Sequence, residues 1–399
     1  MKILMLGRIG LLENGGGDKV QIENTALELR KLGVEVEIKT GFNFNPQDYD
    51  LIHVFQLDWT AETYLYAQKV KKAQKPLVLS PIHHNIKEVQ KFDDLYAFDF
   101  RRLSKLVFKD QHKRDTFKNV YRSFSEPEKI IPTVKSIFKG LEKMHRETLS
   151  LSDRVLVQTK LEARDLQETY GVNFKWELIP NGVGENFLSP QVKQNPLGFE
   201  NYLICVGRIE PRKNQLNIIK AVEEARREIK EKDTGADPEL VFVGKKVGFR
   251  HFEYTKEFNK ALSQKHWIHY IEQIPYKDIP TYYAHAKVGI SASWFETTGL
   301  TSLEALFCGA NAVASGERAK EYLGDLAFYC IPEDVCSIKN AVKKAYFAPK
   351  PIIPDSMRNF YTWENAAKKT YLVYQEVLQK VQNVLLEVAN KENYNEEII

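Results

Sequence analysis

The stretch YLICVGRIEPRKN, Tyr202–Asn214, reads as a buried strand that ends at Val206, turns at Gly207 and enters a loop around Pro211. An unbroken apolar run without alternation is the mark of a parallel strand covered on both faces. The same reading recurs along the chain. Upstream it gives Lys2–Leu6, Val34–Ile38, Leu51–Phe55, Leu77–Ser80, Arg154–Gln158 and Trp176–Ile179. Downstream it gives Leu240–Val243, Trp267–Ile271, Val288–Ser291, Ala312–Ala314 and Leu326–Ile331. Val34, Val36 and Ile38 alternate with Glu35, Glu37 and Lys39, so that strand should have one less buried face. Helical stretches separate the strands, and the strand–helix order restarts at Tyr202. The expected fold class is therefore α/β, with two doubly wound Rossmann-like domains in tandem.

The break between them falls around residues 182–200, where Gly, Pro and Asn collect. This predicts an N-terminal domain over residues 1–185, a C-terminal domain over 186–370, and a terminal helix over 371–399. In that helix Leu372, Val373, Val377, Val381, Val384, Leu385 and Val388 recur at helical spacing. One sustained apolar face on so late an element suits packing back onto the first domain.

Composition narrows the function. The 399 residues carry 57 Lys+Arg against 53 Asp+Glu, and 43% are hydrophobic, which describes a folded globular chain rather than a disordered one. A net charge of +4 over this length does not indicate a nucleic-acid binder, and no recognised nucleic-acid motif is present. Cys205, Cys308, Cys330 and Cys336 form no CxxC pair and no zinc-like spacing, which fits a reducing cytoplasm. The apolar run in MKILMLG is too short for a signal peptide and no stretch would span a membrane, so a cytoplasmic protein is expected, free or at a membrane face.

Three segments carry chemistry. Gly15-Gly16-Gly17 follows the first strand and precedes a helix, where backbone amides can approach an anion; a flexible turn fits equally well, and the spacing is not GxGxxG. Arg208 and Lys213 lie beyond the end of the Tyr202 strand, where α/β proteins bind ligands, and two cations there could neutralise a diphosphate without metal. The third segment is WFETTGLTSLEALFCG, Trp294–Gly309. Glu296 lies in its loop, a helix is expected over Gly299–Phe307, and Gly309 is a suitable stop. Thr298, Gly299 and Leu300 would present amides to a phosphate. Glu304 stands one turn into the helix between Leu303 and Ala305, an unusual place for a carboxylate with no task.

Glu296 and Glu304 in E-x7-E spacing, the VGRIEPRKN loop, the Gly-rich first loop and IPNGV (Ile179–Val183) together resemble a GT-B glycosyltransferase of family 4. The resemblance extends over SDRVLVQT (Ser152–Thr159), AKVGISAS (Ala286–Ser293) and the segment Tyr361–Leu378. It implies two Rossmann-like domains facing across a cleft and retaining transfer from a nucleotide-sugar donor to a glycan or lipid-linked acceptor. Arg208 and Lys213 would hold the diphosphate, Glu304 the ribose, and Glu296 the donor sugar. Thr298, Gly299, Leu300, Gly16 and Gly17 would line the donor site. A His at the fourth strand's tip helps position the sugar in the family; here His83 and His84 are both candidates. No metal or other cofactor is expected. Asp48-Tyr49-Asp50 matches the metal-binding DxD of a different glycosyltransferase fold, but it precedes a strand and reads as a turn.

The sequence departs from the family at two points. Thr298 stands where Phe is usual, and Glu272-Gln273 where a Gly is usual, which leaves the nucleobase unassigned. A sugar-nucleotide 2-epimerase or a non-catalytic sugar-nucleotide-binding subunit would fit the same architecture. Finally, Arg101–Arg122 holds eight Lys/Arg and two Asp, interleaved with Phe and Tyr. Either this is a solvated helix face or it meets an anionic membrane surface or lipid.

Overall fold

The computed structural model describes residues 1–95, 111–123, 127–247 and 251–396. Residues 101–110 of the basic stretch thus lie outside the described residues. The chain divides into two compact units. The first comprises residues 1–83, 110–181 and 363–399; the second comprises 84–109 and 182–362.

In the first unit six parallel strands, β1 (Lys2–Gly7), β2 (Glu35–Thr40), β3 (Leu51–Phe55), β4 (Leu77–Ser80), β5 (Arg154–Val157) and β6 (Trp176–Leu178), lie in the order β2-β1-β3-β4-β5-β6. The core strands are covered on both faces: β3 and β4 are buried along their whole length. β2 is an edge strand; Glu35 is exposed and Val36 buried, but Glu37, Ile38 and Lys39 are all half-buried, so the expected alternation holds only at its start. The DxD lookalike sits in a 3-10 turn, Pro46–Asp48, with Asp50 accepting from the Lys2 amide.

The long helix Trp363–Glu396 packs on the helix Gly17–Lys31 and on β5 of this unit. Its buried stripe is Ala366, Ala367, Thr370, Val373, Tyr374 and Val377. Leu372, expected on that stripe, is exposed instead, because the burying face runs through Ala366, Thr370, Val373 and Val377 and leaves position 372 about 100° away. Tyr374 completes the seam: its hydroxyl lies 2.6 Å from His53 Nδ1, and His53 Nε2 is 2.8 Å from Ser80 Oγ. Burial pushes the His53 imidazole down to about 3, so it is neutral and structural.

The second unit repeats the design with β7 (Tyr202–Val206), β8 (Glu239–Val243), β9 (Ile268–Ile271), β10 (Val288–Ser291), β11 (Asn311–Ser315) and β12 (Ala327–Cys330). Its order, β12-β11-β10-β7-β8-β9, is that of a Rossmann sheet, with the switch point between β7 and β10. The loops leaving β7 and β10 therefore open side by side at one crevice. Two glycines allow the tight packing there. Gly244, at φ 144°, lies where a Cβ would strike the Gly207 carbonyl, and a Cβ on Gly289 would sit 2.6 Å from Ala305 Cβ. Gly289 thus lets the helix Leu300–Phe307 lie close on β10. All four cysteines are free thiols.

Candidate functional site

The loop after β7 is built around Asn214. It is fully buried, adopts φ 64°, and its amide donates to the Ala292 carbonyl (3.0 Å) and the Pro332 carbonyl (2.7 Å). Asparagine tolerates this left-handed geometry better than other non-glycine residues. The anchor ties the β7 loop to the segment that follows β10. The preceding 3-10 turn, Pro211–Lys213, then aims two consecutive cations at Glu296.

Lys213 Nζ donates to Glu296 Oε1, and Arg212 Nη1 donates to Glu296 Oε2 at 2.9 Å. Arg212 also donates to Glu210 at 3.0 Å and to the Phe295 carbonyl at 3.3 Å. Burial by itself would raise the Glu296 carboxyl, but Arg212 and then Lys213 outweigh it and hold the group well below the usual carboxylate range. Burial likewise works against the Arg212 charge, and Glu296 with Glu210 reverses that, so its guanidinium stays charged. Arg208, the cation expected to act with Lys213, is half-exposed and stands 3.7 Å from Glu210.

Glu304 is set oppositely. It lies inside the helix Leu300–Phe307, is buried, and accepts from the Tyr276 hydroxyl at 3.0 Å. Desolvation pushes its carboxyl up to about 7, with the Tyr276 hydrogen bond and the Lys213 charge pulling the other way. Lys213 therefore acts on both carboxylates, and the two lie in one charge cluster at the switch point.

The amides expected to face a phosphate are already engaged. Gly299 N–H donates to the buried Tyr322 hydroxyl at 2.8 Å, and Leu300 N–H turns back to the Thr298 carbonyl at 3.0 Å. An anion at this helix start would have to displace Tyr322. The Gly-rich loop shows the same economy. The helix begins at Gly17, and Gly16 N–H donates to the Asp18 carboxylate (2.8 Å), which is held by Arg8 (2.7 Å). A carboxylate of the chain itself thus occupies that helix N-terminus, where the dipole favours it. Gly17 has open space on its side-chain side.

The two adjacent histidines separate. His83, in the first unit, is buried with Nδ1 on Asp58 and its amide on Glu162 (2.8 Å). It follows Ile82, a β-branched residue at φ 45°, a strained conformation that fixes the chain at the tip of β4. His84 belongs to the second unit, its ring edge-on to Phe295 at 5.1 Å. Phe295 in turn lies under Arg212, 5.7 Å from its guanidinium carbon. Sequence reasoning missed Arg212, Glu210, Asn214 and Tyr276. The first three stand within the quoted VGRIEPRKN loop, but only the fold distinguishes the buried Arg212 from the exposed Arg208.

Comparison with known proteins bears on this cluster directly. Residues 191–351, which contain it, match the model of the glycosyl transferases group 1. This segment is similar to the glycosyl transferases group 1 domain. The O-antigen chain mannosyltransferase B of Escherichia coli is 25% identical over 212 residues, 50% of this chain and 51% of that protein. The chain thus matches about half the length of that curated relative. Among solved structures, the sucrose-phosphate synthase from Thermosynechococcus elongatus has a TM-score of 0.61 at 13% identity, covering 97% of this chain and 98% of its own. Anabaena HepE in complex with UDP and glucose has a TM-score of 0.57 at 17% identity, covering 97% and 100%. At these identities the likeness is one of fold: two parallel-sheet Rossmann-like units, as in GT-B glycosyltransferases. The charged residues of the matched segment lie at the crevice where such sheets bind ligands.

Proposed function

We propose that the protein is a retaining, metal-independent glycosyltransferase of family 4 that moves a hexosyl unit from a nucleoside-diphosphate sugar to a glycan or lipid-linked acceptor. The observation that carries this is the cluster of Arg208, Arg212, Lys213, Glu296 and Glu304 at the β7/β10 switch point. Arg208 and Lys213 neutralise the diphosphate as it leaves, an electrostatic role that needs no ion. Arg212 keeps Glu296 ionised and aimed, so that Glu296 accepts hydrogen bonds from the donor sugar's hydroxyls. Lys213 exchanges part of its bond to Glu296 for the phosphate oxygens. Glu304 accepts from the ribose, taking the place of the Tyr276 hydroxyl. His84, edge-on to Phe295, serves the sugar end, and the 298–300 segment completes the donor site where an anion displaces the Tyr322 hydroxyl. Retention rests on the family resemblance.

The hexosyl donor is supported by the names of the relatives: one is a mannosyltransferase of the O-antigen chain, and another was crystallised with UDP and glucose. An acceptor of the O-antigen kind would place the work in polysaccharide biosynthesis, at the cytoplasmic face of a membrane. Among the described residues no helix is long and apolar enough to cross one, so association there would be peripheral.

A thermal-shift screen of UDP-, GDP-, ADP- and dTDP-sugars in EDTA tests the donor site. One nucleotide class should raise Tm, and Arg208→Ala should abolish the rise. A shift that appears only with magnesium would overturn metal independence. Incubation with the donor alone that yields an isomerised sugar would replace transfer by epimerisation.

A further inference from the structure

The second unit holds a cavity of about 430 Å³ that the donor site does not use. Its size is within the roughly 300–1,000 Å³ of small-molecule sites. It lies beyond the C-terminal ends of β10, β11 and β12, the edge at which parallel sheets take ligands. Trp294 closes it from the β10 side, Gly316 and Glu317 from the loop after β11, and Tyr329 from β12 itself. The remaining wall is the helix Ile86–Leu95, which belongs to this unit. Its Phe92 is fully buried with the ring 5.5 Å from that of Trp294, and its Lys91 pairs with Glu333.

The walls select the ligand. Both lining ammonium groups are already matched, Lys91 by Glu333 and Lys320 by Glu317 at 2.7 Å. Glu88 adds a third lining carboxylate, so the cavity offers a phosphate no surplus of positive charge. Glu333 Oε2 is buried and makes no hydrogen bond among the described residues, while Oε1 takes Lys91. A buried acceptor left unpaired costs free energy that a ligand hydroxyl recovers. Tyr329 has its hydroxyl bonded to the Gly324 carbonyl, so it offers the cavity its ring, and Trp294 supplies a second aromatic wall. Aromatic surface beside fixed donors and acceptors, with the charges balanced in pairs, suits a neutral polyol whose rings have apolar C–H faces. A short chain of hexopyranose units has that character.

The cavity also adjoins the charge cluster. Glu88 and Gly316 line both the cavity and a narrow recess lined by Glu296, Thr297 and Tyr322. The Trp294 amide donates to the Arg212 carbonyl at 2.9 Å, so the cavity wall is tied to the cation that holds Glu296. We propose that this cavity is a subsite for a neutral oligosaccharide, holding a hexose of the acceptor chain away from the hydroxyl that reacts. Its role rests on the glycosyl-transfer reading, which it deepens by placing part of acceptor recognition within the second unit.

The test is a ligand-observed NMR titration of the full chain with short neutral oligosaccharides of mannose, glucose or galactose, and with inorganic phosphate as the anionic control. At least one oligosaccharide should bind, and phosphate should not displace it. Glu333→Gln should weaken that binding roughly tenfold by removing a carboxylate acceptor, and Tyr329→Leu roughly fivefold by removing the ring face. Glu333→Gln keeps the shape of the side chain and loses one partly exposed ion pair, so Tm and any donor-induced thermal shift should change little. That variant carries the test if Tyr329→Leu does not fold. Binding of no oligosaccharide, in protein whose Tm still rises with a nucleotide sugar, would overturn the subsite. So would binding that both variants leave intact, or displacement by phosphate. Oligosaccharide binding lost in Glu333→Gln, in a protein that answers to no nucleotide sugar, would uphold the subsite and overturn the transfer reading.

Discussion

The loop 294–299 and the helix that follows it each carry one glutamate, and the two are governed by opposite physics. Glu296 is buried against Arg212 and Lys213, and the two cations more than offset desolvation, so it stays ionised. Glu304 is buried with a phenol hydroxyl as its hydrogen-bond partner, so desolvation wins and its carboxyl rises to about 7. A spacing of eight residues thus places two identical side chains in opposite protonation regimes within one site. In the proposed mechanism the first supplies a fixed charge and the second an acceptor whose state changes near neutral pH.

The strongest way to break this contrast is to remove the cation that separates the two carboxylates' behaviour. Arg212→Met leaves Glu296 and Glu210 buried with less compensation and should destabilise the second unit by about 3–5 kcal/mol. Glu296→Gln should retain more of the fold while lowering kcat/KM about 10²–10³-fold, the range seen when a preorganised electrostatic contact is lost. Differential scanning fluorimetry and steady-state rates measure the two effects. If Arg212→Met left Tm unchanged, the Glu296 charge would have to be held by something other than this pair.

Glu304 gives the next largest effect, and its sign is opposite. Its folded value lies above the ordinary 4.5, so the folded state holds the proton more tightly than the unfolded chain does. Below about pH 4.5 both states are protonated and there is no cost. The cost grows as pH rises and reaches about 3 kcal/mol once pH exceeds 7. Glu304→Gln should therefore stabilise the protein at pH 8 and do little at pH 4.5, while weakening donor binding. Unfolding by urea at the two pH values checks this, and equal effects at both would remove Glu304 from its assigned environment.

Tyr276→Phe sharpens the comparison with the smallest change. The Tyr276 hydrogen bond lowers the Glu304 carboxyl, so its loss should move the midpoint of pH-dependent donor binding upward. The stability change should be about 1 kcal/mol. Titration of donor affinity between pH 6 and 8 follows it. Donor binding by wild type should tighten across that range as Glu304 ionises and accepts the ribose hydroxyls. A flat profile in both proteins would detach Glu304 from the ribose.

The sequence was a good guide wherever structure follows from local pattern. The twelve strands of the described residues overlap the segments read from the sequence, most of them apolar runs, because burial on both faces leaves a mark in a few consecutive residues; the edge strands β2 and β6 carry charged residues instead. The exposed Arg208 and the buried Arg212 could not be told apart in this way. Both are arginines in one short loop, and the Pro211–Lys213 turn with the buried Asn214 decides which of them meets Glu296. Leu372 reads as a core residue by helical spacing, but the packing surface of its helix runs one position away. The helix Ile130–Lys139 is the extreme case, since its apolar face would be assigned to a core by pattern alone, yet Ile131 and Phe138 are exposed.

The order of elements, the two α/β sheets and the helix bearing Glu304 were thus determined by the chain itself, through short-range apolar periodicity and turn residues. Which amides near Gly299 and Gly16 are taken up by Tyr322 and Asp18, and which glutamate is charged, was decided only by the tertiary structure. The reason is physical: hydrogen-bond partners and desolvation depend on residues distant in sequence, and their energies are set by packing that no local pattern encodes.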